Sequence, residues 1–151
     1  MIMKAIKDLS IAKNVYFYNK DIKEIVSYNK WVDFIDQNAD FFTWLEDTEQ
    51  GKKTLENISS IPESFRSGIL KGHNKSRAFG EFNIKKGYYE MYVDYHEQSG
   101  KITTTFQKPI KKAHIKLLQE MAVHCEALLL NNGTEIITLE TINKKFPGTE
   151  V

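Results

Sequence analysis

The feature that most constrains this chain is an apolar stripe between positions 110 and 125. Its members recur every three or four residues, which places them on one side of a helix with about 3.6 residues per turn. They are Ile110, Ala113, His114, Leu117, Leu118, Met121, Ala122 and Cys125. Pro109 suits the first helical turn, where its missing N–H costs nothing. We therefore predict an amphipathic helix over about 109–125 that packs on a sheet.

The sheet is predicted just upstream, as an antiparallel β-meander over about 77–107. Within 88–96, apolar and polar residues alternate with the period of a half-buried strand. Matching apolar sets occur before and after this segment. The inward-facing residues are predicted to be Ala78, Gly80, Phe82, Ile84, Tyr89, Met91, Val93, Tyr95, Ile102, Thr104 and Phe106.

Turn residues predict how these strands pair. A turn centred on Lys86-Gly87 would place Phe82 opposite Met91, and a loop over 97–100 would place Tyr95 opposite Ile102. After the helix, the dipeptide Asn132-Gly133 predicts a closing hairpin over 127–138.

The remaining elements are shorter. A strand is predicted over 14–18, a helix over 28–37 with Ser27 as its cap, and a strand over 41–45. Further helices are predicted over 48–58, from a capping box at Ser60 to Gly72, and over 139–146. We expect one α+β domain, 1–151, with a frayed tail over 147–151.

Composition excludes several classes of function. Apolar runs of at most four residues predict no membrane span, and a single cysteine, Cys125, excludes an internal disulfide. The glycines fit no phosphate-binding motif, so no cofactor is expected. Asp94 and His96 could begin a metal site, but no third ligand has suitable spacing, so no metal is expected either. The predicted location is the cytoplasm.

Charge is unevenly distributed along the chain, which bears on partners rather than on fold. Residues 33–50 contain six acids and no Lys or Arg, interspersed with aromatic residues. Such a surface would attract a basic protein through its carboxylates and anchor it through an aromatic residue. The predicted partner-binding residues are Asp40, Trp44, Glu46, Asp47 and Glu49. The alternative interpretation is a solvated helix surface and loop.

The outward-facing residues of the meander offer a second interpretation. Glu90, Asp94 and His96 would stand in a row and could perform acid–base catalysis in a small enzyme. A solvated sheet surface explains the same alternation. Tyr88 and Tyr92 on this surface would become interface residues if a second copy of the chain covered it.

A third interpretation follows from the basic half of the chain. Residues 64–116 contain eleven bases and only four acids, so this half could hold a nucleic-acid backbone. The candidate contacts are Lys71, His73, Lys75 and Arg77. A sequence pI near 7.8 is low for a dedicated nucleic-acid-binding domain, which makes this partner the less favoured one.

Absence of a catalytic motif, together with uneven charge on a small α+β chain, favours a protein-binding module over an enzyme. In these general respects the chain resembles the immunity proteins with which bacteria neutralise toxins. That resemblance is an analogy at the level of size and charge. It implies that the partner is a toxin domain with a basic binding surface.

Overall fold

A seven-stranded antiparallel sheet forms the centre of the fold. The computed structural model describes residues 6–72 and 74–146. Its strands are β1 (Leu9–Ala12), β2 (Phe42–Trp44), β3 (Arg77–Asn83), β4 (Tyr88–His96), β5 (Lys101–Phe106), β6 (Leu128–Asn131) and β7 (Glu135–Ile137). Its helices are α1 (Tyr28–Gln37), α2 (Glu49–Glu56), α3 (Glu63–Gly72), α4 (Lys112–His124) and α5 (Leu139–Lys145). The predicted α+β class is confirmed.

The strands lie in the order β2-β3-β4-β5-β1-β6-β7. The predicted meander is β3-β4-β5 and the predicted closing hairpin is β6-β7. Strand β1 joins the two, and its four residues are all buried. A strand covered on both sides shows no alternation, so periodicity could not identify it. The strand predicted over 14–18 is wrong, because that segment is an irregular loop. The hydroxyl of Tyr16 in this loop shares a 2.7 Å hydrogen bond with the hydroxyl of Ser10 in β1.

Helix α4 has the predicted amphipathic character, but it begins at Lys112, three residues after Pro109. Leu118 lies at the centre of the buried stripe. With about 100° per residue, Ile115 lies about 60° from Leu118, whereas Ala113 lies about 140° away. Accordingly, Ile115 is fully buried and Ala113 is exposed, which corrects the predicted stripe.

The β4–β5 pairing is as predicted, with Tyr95 opposite Ile102. The β3–β4 pairing is wrong by two residues, because Gly80 rather than Phe82 lies opposite Met91. The turn spans the four residues 84–87.

Glu81 interrupts the β3–β4 ladder with a positive φ of 55°. In the paired strand β4, the alternation of buried and exposed residues also breaks beside Glu81. Glu90 and Met91 are consecutive and both buried. Tyr89, which was predicted to face inward, packs its ring against Phe79 at 5.4 Å between ring centroids. A single residue in a left-handed conformation leaves no periodic signal in a sequence.

Short local signals predicted the other elements well. Ser27 caps α1 by accepting a hydrogen bond from the backbone N–H of Lys30. Helices α2 and α5 lie within two residues of their predicted limits. Helix α3 begins three residues after Ser60, and the predicted cap is wrong because the Ser60 hydroxyl donates to the carbonyl of Asn57. Asn132 and Gly133 both have positive φ in the turn of the closing hairpin. The tail over 147–151 lies outside the described residues.

The two sides of the sheet differ in cover. Met91, Val93 and Ile102 belong to one buried cluster with Trp31 of α1 and Leu118 of α4. On the opposite side, which we call the outer side, Phe79, Tyr92, Asp94, Thr103 and Thr105 are only partly buried. The helices therefore seal one side and leave the other accessible.

A pair of substitutions on α4 tests this arrangement. Leu118→Ala should lower the free energy of unfolding by about 2–5 kcal/mol, because it removes buried methyl groups and leaves a cavity. Val123→Ala on the same helix should change it by less than about 0.5 kcal/mol, since Val123 is 64% exposed. Urea unfolding followed by circular dichroism measures both. Equal losses would contradict the assignment of the buried side.

Candidate functional site

The candidate functional site is a cleft at the end of the sheet where β3 begins and β4 ends. It consists of an open depression of about 1120 Å³ and an adjoining one of about 380 Å³. The two share Gly68, Ser76, Tyr95 and His96 in their walls. The larger depression is lined by Asn19, Lys20, Ile25, Tyr28, Gly68, Asn74, Ser76, Tyr95, His96, Glu97, Gln98 and Ser99. The smaller adds Leu45, Ile69, Arg77 and Asp94.

Two tyrosines form a rigid part of the cleft. The rings of Tyr28 and Tyr95 meet edge to face with 5.1 Å between centroids. The Tyr28 hydroxyl donates to the carbonyl of Lys75 at 2.8 Å, and that of Tyr95 donates to the carbonyl of Val26 at 2.6 Å. Burial raises the pKa of both phenols, so both remain donors at neutral pH. Their hydroxyls are thus engaged within the protein.

Lys75 fixes the connection between α3 and β3, which forms one wall of the cleft. Its backbone has a positive φ of 50°. Its N–H donates to Glu46 Oε2 at 2.7 Å, and its carbonyl accepts the bond from Tyr28. Its ammonium lies 3.9 Å from Asp36 Oδ2 and 5.7 Å from the centre of the Trp44 ring. Lys75 therefore acts as a structural residue, which weakens its predicted role as a nucleic-acid contact.

Arg77 is also engaged within the protein. Its guanidinium donates to both carboxylate oxygens of Asp94, at 2.6 and 3.0 Å, and lies 4.2 Å from the centre of the Tyr92 ring. These hydrogen bonds to Asp94 raise the pKa of Arg77 above its usual value. Among the other predicted basic contacts, His73 and the side chain of Lys71 lie outside the described part of the chain. The basic set therefore does not form an unpaired cationic surface in the described ranges.

His96 lies in the cleft wall near Asp94. Its Nε2 is 2.7 Å from Thr103 Oγ1. Burial lowers the pKa of His96 below 6.5, so the imidazole is neutral at pH 7. With the Asp94 carboxylate held by Arg77, neither group is placed to relay a proton to the other.

Glu90, the third member of the predicted acid–base row, lies elsewhere. It is only 6% exposed, and its Oε2 is 3.9 Å from Lys108 Nζ. Lys108 also pairs with Glu81, whose Oε1 accepts a 2.7 Å hydrogen bond from Nε2 of His114. Nδ1 of His114 accepts from the backbone N–H of Lys111, which fixes the ring proton on Nε2. The expected row of Glu90, Asp94 and His96 is therefore not assembled in the structure.

The acidic segment is divided by the edge strand β2. Asp40 precedes β2, whereas Glu46, Asp47 and Glu49 follow it. Since Trp44 lies opposite Ala78, the three later acids follow the end of β2 that is nearer the cleft, where Glu46 accepts from the N–H of Lys75, and Asp40 lies at the opposite end of the strand. Trp44 is 5% exposed, and its indole N–H donates to Asp36 at 2.9 Å. It cannot serve as the exposed anchor that the sequence suggested.

The two predicted interface tyrosines are also separated. Tyr92 lies beneath Arg77, while Tyr88 lies at the β3–β4 turn with Lys86 5.7 Å from its ring. Sequence reasoning missed other cleft residues, among them Tyr28, Gly68, Asn74 and Gln98. No local pattern marks them, because they come from four separate segments that only the fold brings together.

Comparison with known protein families, curated proteins and solved structures found no match to this chain. In residues 6–72 and 74–146, no group of three or more His, Cys, Asp or Glu side chains is arranged to hold a metal ion. None of the helices in the same ranges has the length and apolar character needed to cross a membrane.

The Glu81 network predicts a pH dependence of stability. Burial raises the pKa of Glu81, but hydrogen bonds from Lys108 and His114 outweigh it, so the folded pKa lies below 4.5. The Glu81 carboxylate of the unfolded chain therefore binds a proton more tightly than that of the folded chain. The network stabilises the fold fully above pH 4.5, and this stabilisation is lost as the pH falls through the pKa of folded Glu81. Glu81→Gln should reduce the loss of stability between about pH 7 and about pH 3.

The matched control for this prediction is Glu140→Gln, which alters an exposed carboxylate that pairs with Lys144 on α5. Urea midpoints at several pH values measure both variants. A pH profile of Glu81→Gln that coincides with those of wild type and control would contradict the network's role.

Proposed function

We propose that the protein is a binding module for another protein and that the cleft receives a basic segment of that partner. The observation that carries this proposal is the exposure of apolar residues on α3, the helix that borders the cleft. Phe65 and Leu70 are 65% and 49% exposed, although a helix of this kind usually buries such residues. On the same helix, Gly68 lines the cleft with no neighbour within 4 Å of an added Cβ, and Phe65 lies about 60° from it around the helix axis.

On the opposite wall Ile25 lines the cleft, and Phe17 and Tyr18 come directly before the lining residues Asn19 and Lys20. Phe17, Tyr18 and Ile25 are all strongly exposed in the segment that leads to α1. Contiguous exposed apolar residues around a depression are typical of interaction sites, because monomeric proteins seldom expose large apolar patches. At about 1120 Å³ and open to solvent, the larger depression exceeds the usual range of about 300–1000 Å³ for small-molecule sites. An open depression of this volume has room for a short polypeptide segment.

Charge around the cleft favours a basic partner. Leu45 in the cleft wall is followed by Glu46 and Asp47, and Glu97 lines the opposite part. The nearby cations Lys75 and Arg77 are already paired with carboxylates, as described above. Lys20 in the lining offsets Glu97, so the net negative charge comes from Glu46 and Asp47. The remaining negative charge would accelerate the approach of a basic surface and favour it over an acidic one.

Inhibition of a toxin, in the manner of bacterial immunity proteins, is the biological role that we propose for this surface. A toxin that acts on nucleic acid carries a basic surface, and a protein with acids and apolar residues around a cleft can cover it. The alternative enzymatic role is less well supported because Glu90 is separated from Asp94 and His96. The nucleic-acid alternative is less well supported because Lys75 and Arg77 are neutralised.

Site-specific cross-linking tests the proposed function. A photoreactive p-benzoylphenylalanine at Gly68 projects into open space, so it should leave the fold intact and attach to a bound partner. The expected result, in lysate of the source organism, is one basic protein cross-linked in stoichiometric yield. The same amino acid at exposed Ala113 on α4 is the control and should give no such product.

Charge reversal supplies the second part of this test. Asp47→Lys combined with Glu49→Lys should weaken capture of the partner at least tenfold, because both charges oppose a basic segment. Asp40→Lys combined with Glu140→Lys reverses the same number of charges away from the cleft and should leave capture unchanged. A failure to cross-link from Gly68, or equal effects of the two double variants, would overturn the proposal.

A further inference from the structure

We infer that the partner segment lies in the cleft in an extended conformation and is held through its own backbone; this inference rests on the proposed function. The cleft carries three primary amides, those of Asn19, Asn74 and Gln98. None of these side chains makes a hydrogen bond to another residue in the described ranges. Ser99 adds a hydroxyl whose oxygen is buried without a partner among the described residues.

The chemistry of these groups matches a free peptide backbone. A carboxamide offers both a donor and an acceptor, as does each peptide group. In an extended segment these backbone groups project sideways and need partners. In a helix they are already bonded to one another, and a helix instead requires an apolar groove that takes residues at i, i+3, i+4 and i+7.

The apolar lining is too sparse for such a helix. Ile25 is the only aliphatic side chain among the described residues that line the larger depression. On α3, Phe65 is exposed about 60° around the helix from Gly68, where it can contact a side chain of a segment that runs past it. When proteins bind extended peptides, hydrogen bonds to the peptide backbone supply affinity and contacts with its side chains supply specificity.

The tyrosine pair explains the preference for basic side chains. Since the hydroxyls of Tyr28 and Tyr95 bond to carbonyls of this chain, their rings are held in place. Lysine and arginine stems pack on such rings while their charged groups remain in water, near Glu97. An extended segment can thus place its cations at the edge of the cleft while its peptide groups meet the amides.

Removal of single amides tests the backbone contacts. Asn74→Ala and Gln98→Ala should each weaken the affinity for the captured partner about threefold to tenfold, as loss of one or two hydrogen bonds requires. Asn143→Ala, an exposed amide on α5, is the matched control and should have no effect. Unchanged affinity in both cleft variants would overturn the inference.

The spacing of cross-links tests the conformation directly. Photoreactive residues at Gly68 and at Gln98, used in separate experiments, mark two points along the bound segment that mass spectrometry can locate. Their Cα separation divided by the number of partner residues between the two marks should be near the extended rise of about 3.3 Å. A value near the helical rise of about 1.5 Å, or marks on unrelated segments, would overturn this inference alone. Absence of cross-links from both positions would overturn the proposed function as well.

Discussion

Burial of one side of the sheet beneath α1 and α4 is the constraint on which the rest of the structure depends. Trp31, Met91 and Leu118 are almost completely buried where these layers meet. A large apolar side chain stabilises the fold by about 1.5–3 kcal/mol when it is fully buried. This seal fixes which residues of β3, β4 and β5 face outward. It also leaves the end of the sheet, where α3 approaches, as the place where a concave surface can form.

Much of this core could be predicted because its signals are local and periodic. The stripe of α4, the β4–β5 pairing and the cap at Ser27 each follow from residues close together in sequence. Strand β1 could not be predicted, since burial on both sides removes its alternation. The β3–β4 pairing was missed because the turn spans the four residues 84–87, whereas the prediction placed a turn centred on Lys86-Gly87. Alternation shows which residues share a side of a strand, but the length of the turn decides which residues of the next strand lie opposite them.

The candidate site was less predictable for a different reason. Charge runs in the sequence suggested one acidic and one basic surface, but the fold pairs Lys75 with Asp36 and Arg77 with Asp94. Those pairs join residues that are far apart in the chain, so the sequence alone overstated both surfaces. The aromatic residue expected to be an anchor, Trp44, instead became part of the core. The cleft itself exists only because separate loops converge around Tyr28 and Tyr95.

The central claim is that helices seal one side of the sheet while the cleft walls remain accessible. Methyl NMR with a soluble gadolinium probe measures both properties in one sample. The account predicts strong paramagnetic relaxation of the Ile25 and Leu70 methyl groups and almost none for Met91 and Leu118. Equal protection of all four would contradict the account, because Ile25 in the cleft wall and Leu70 on α3 are both exposed in the structure.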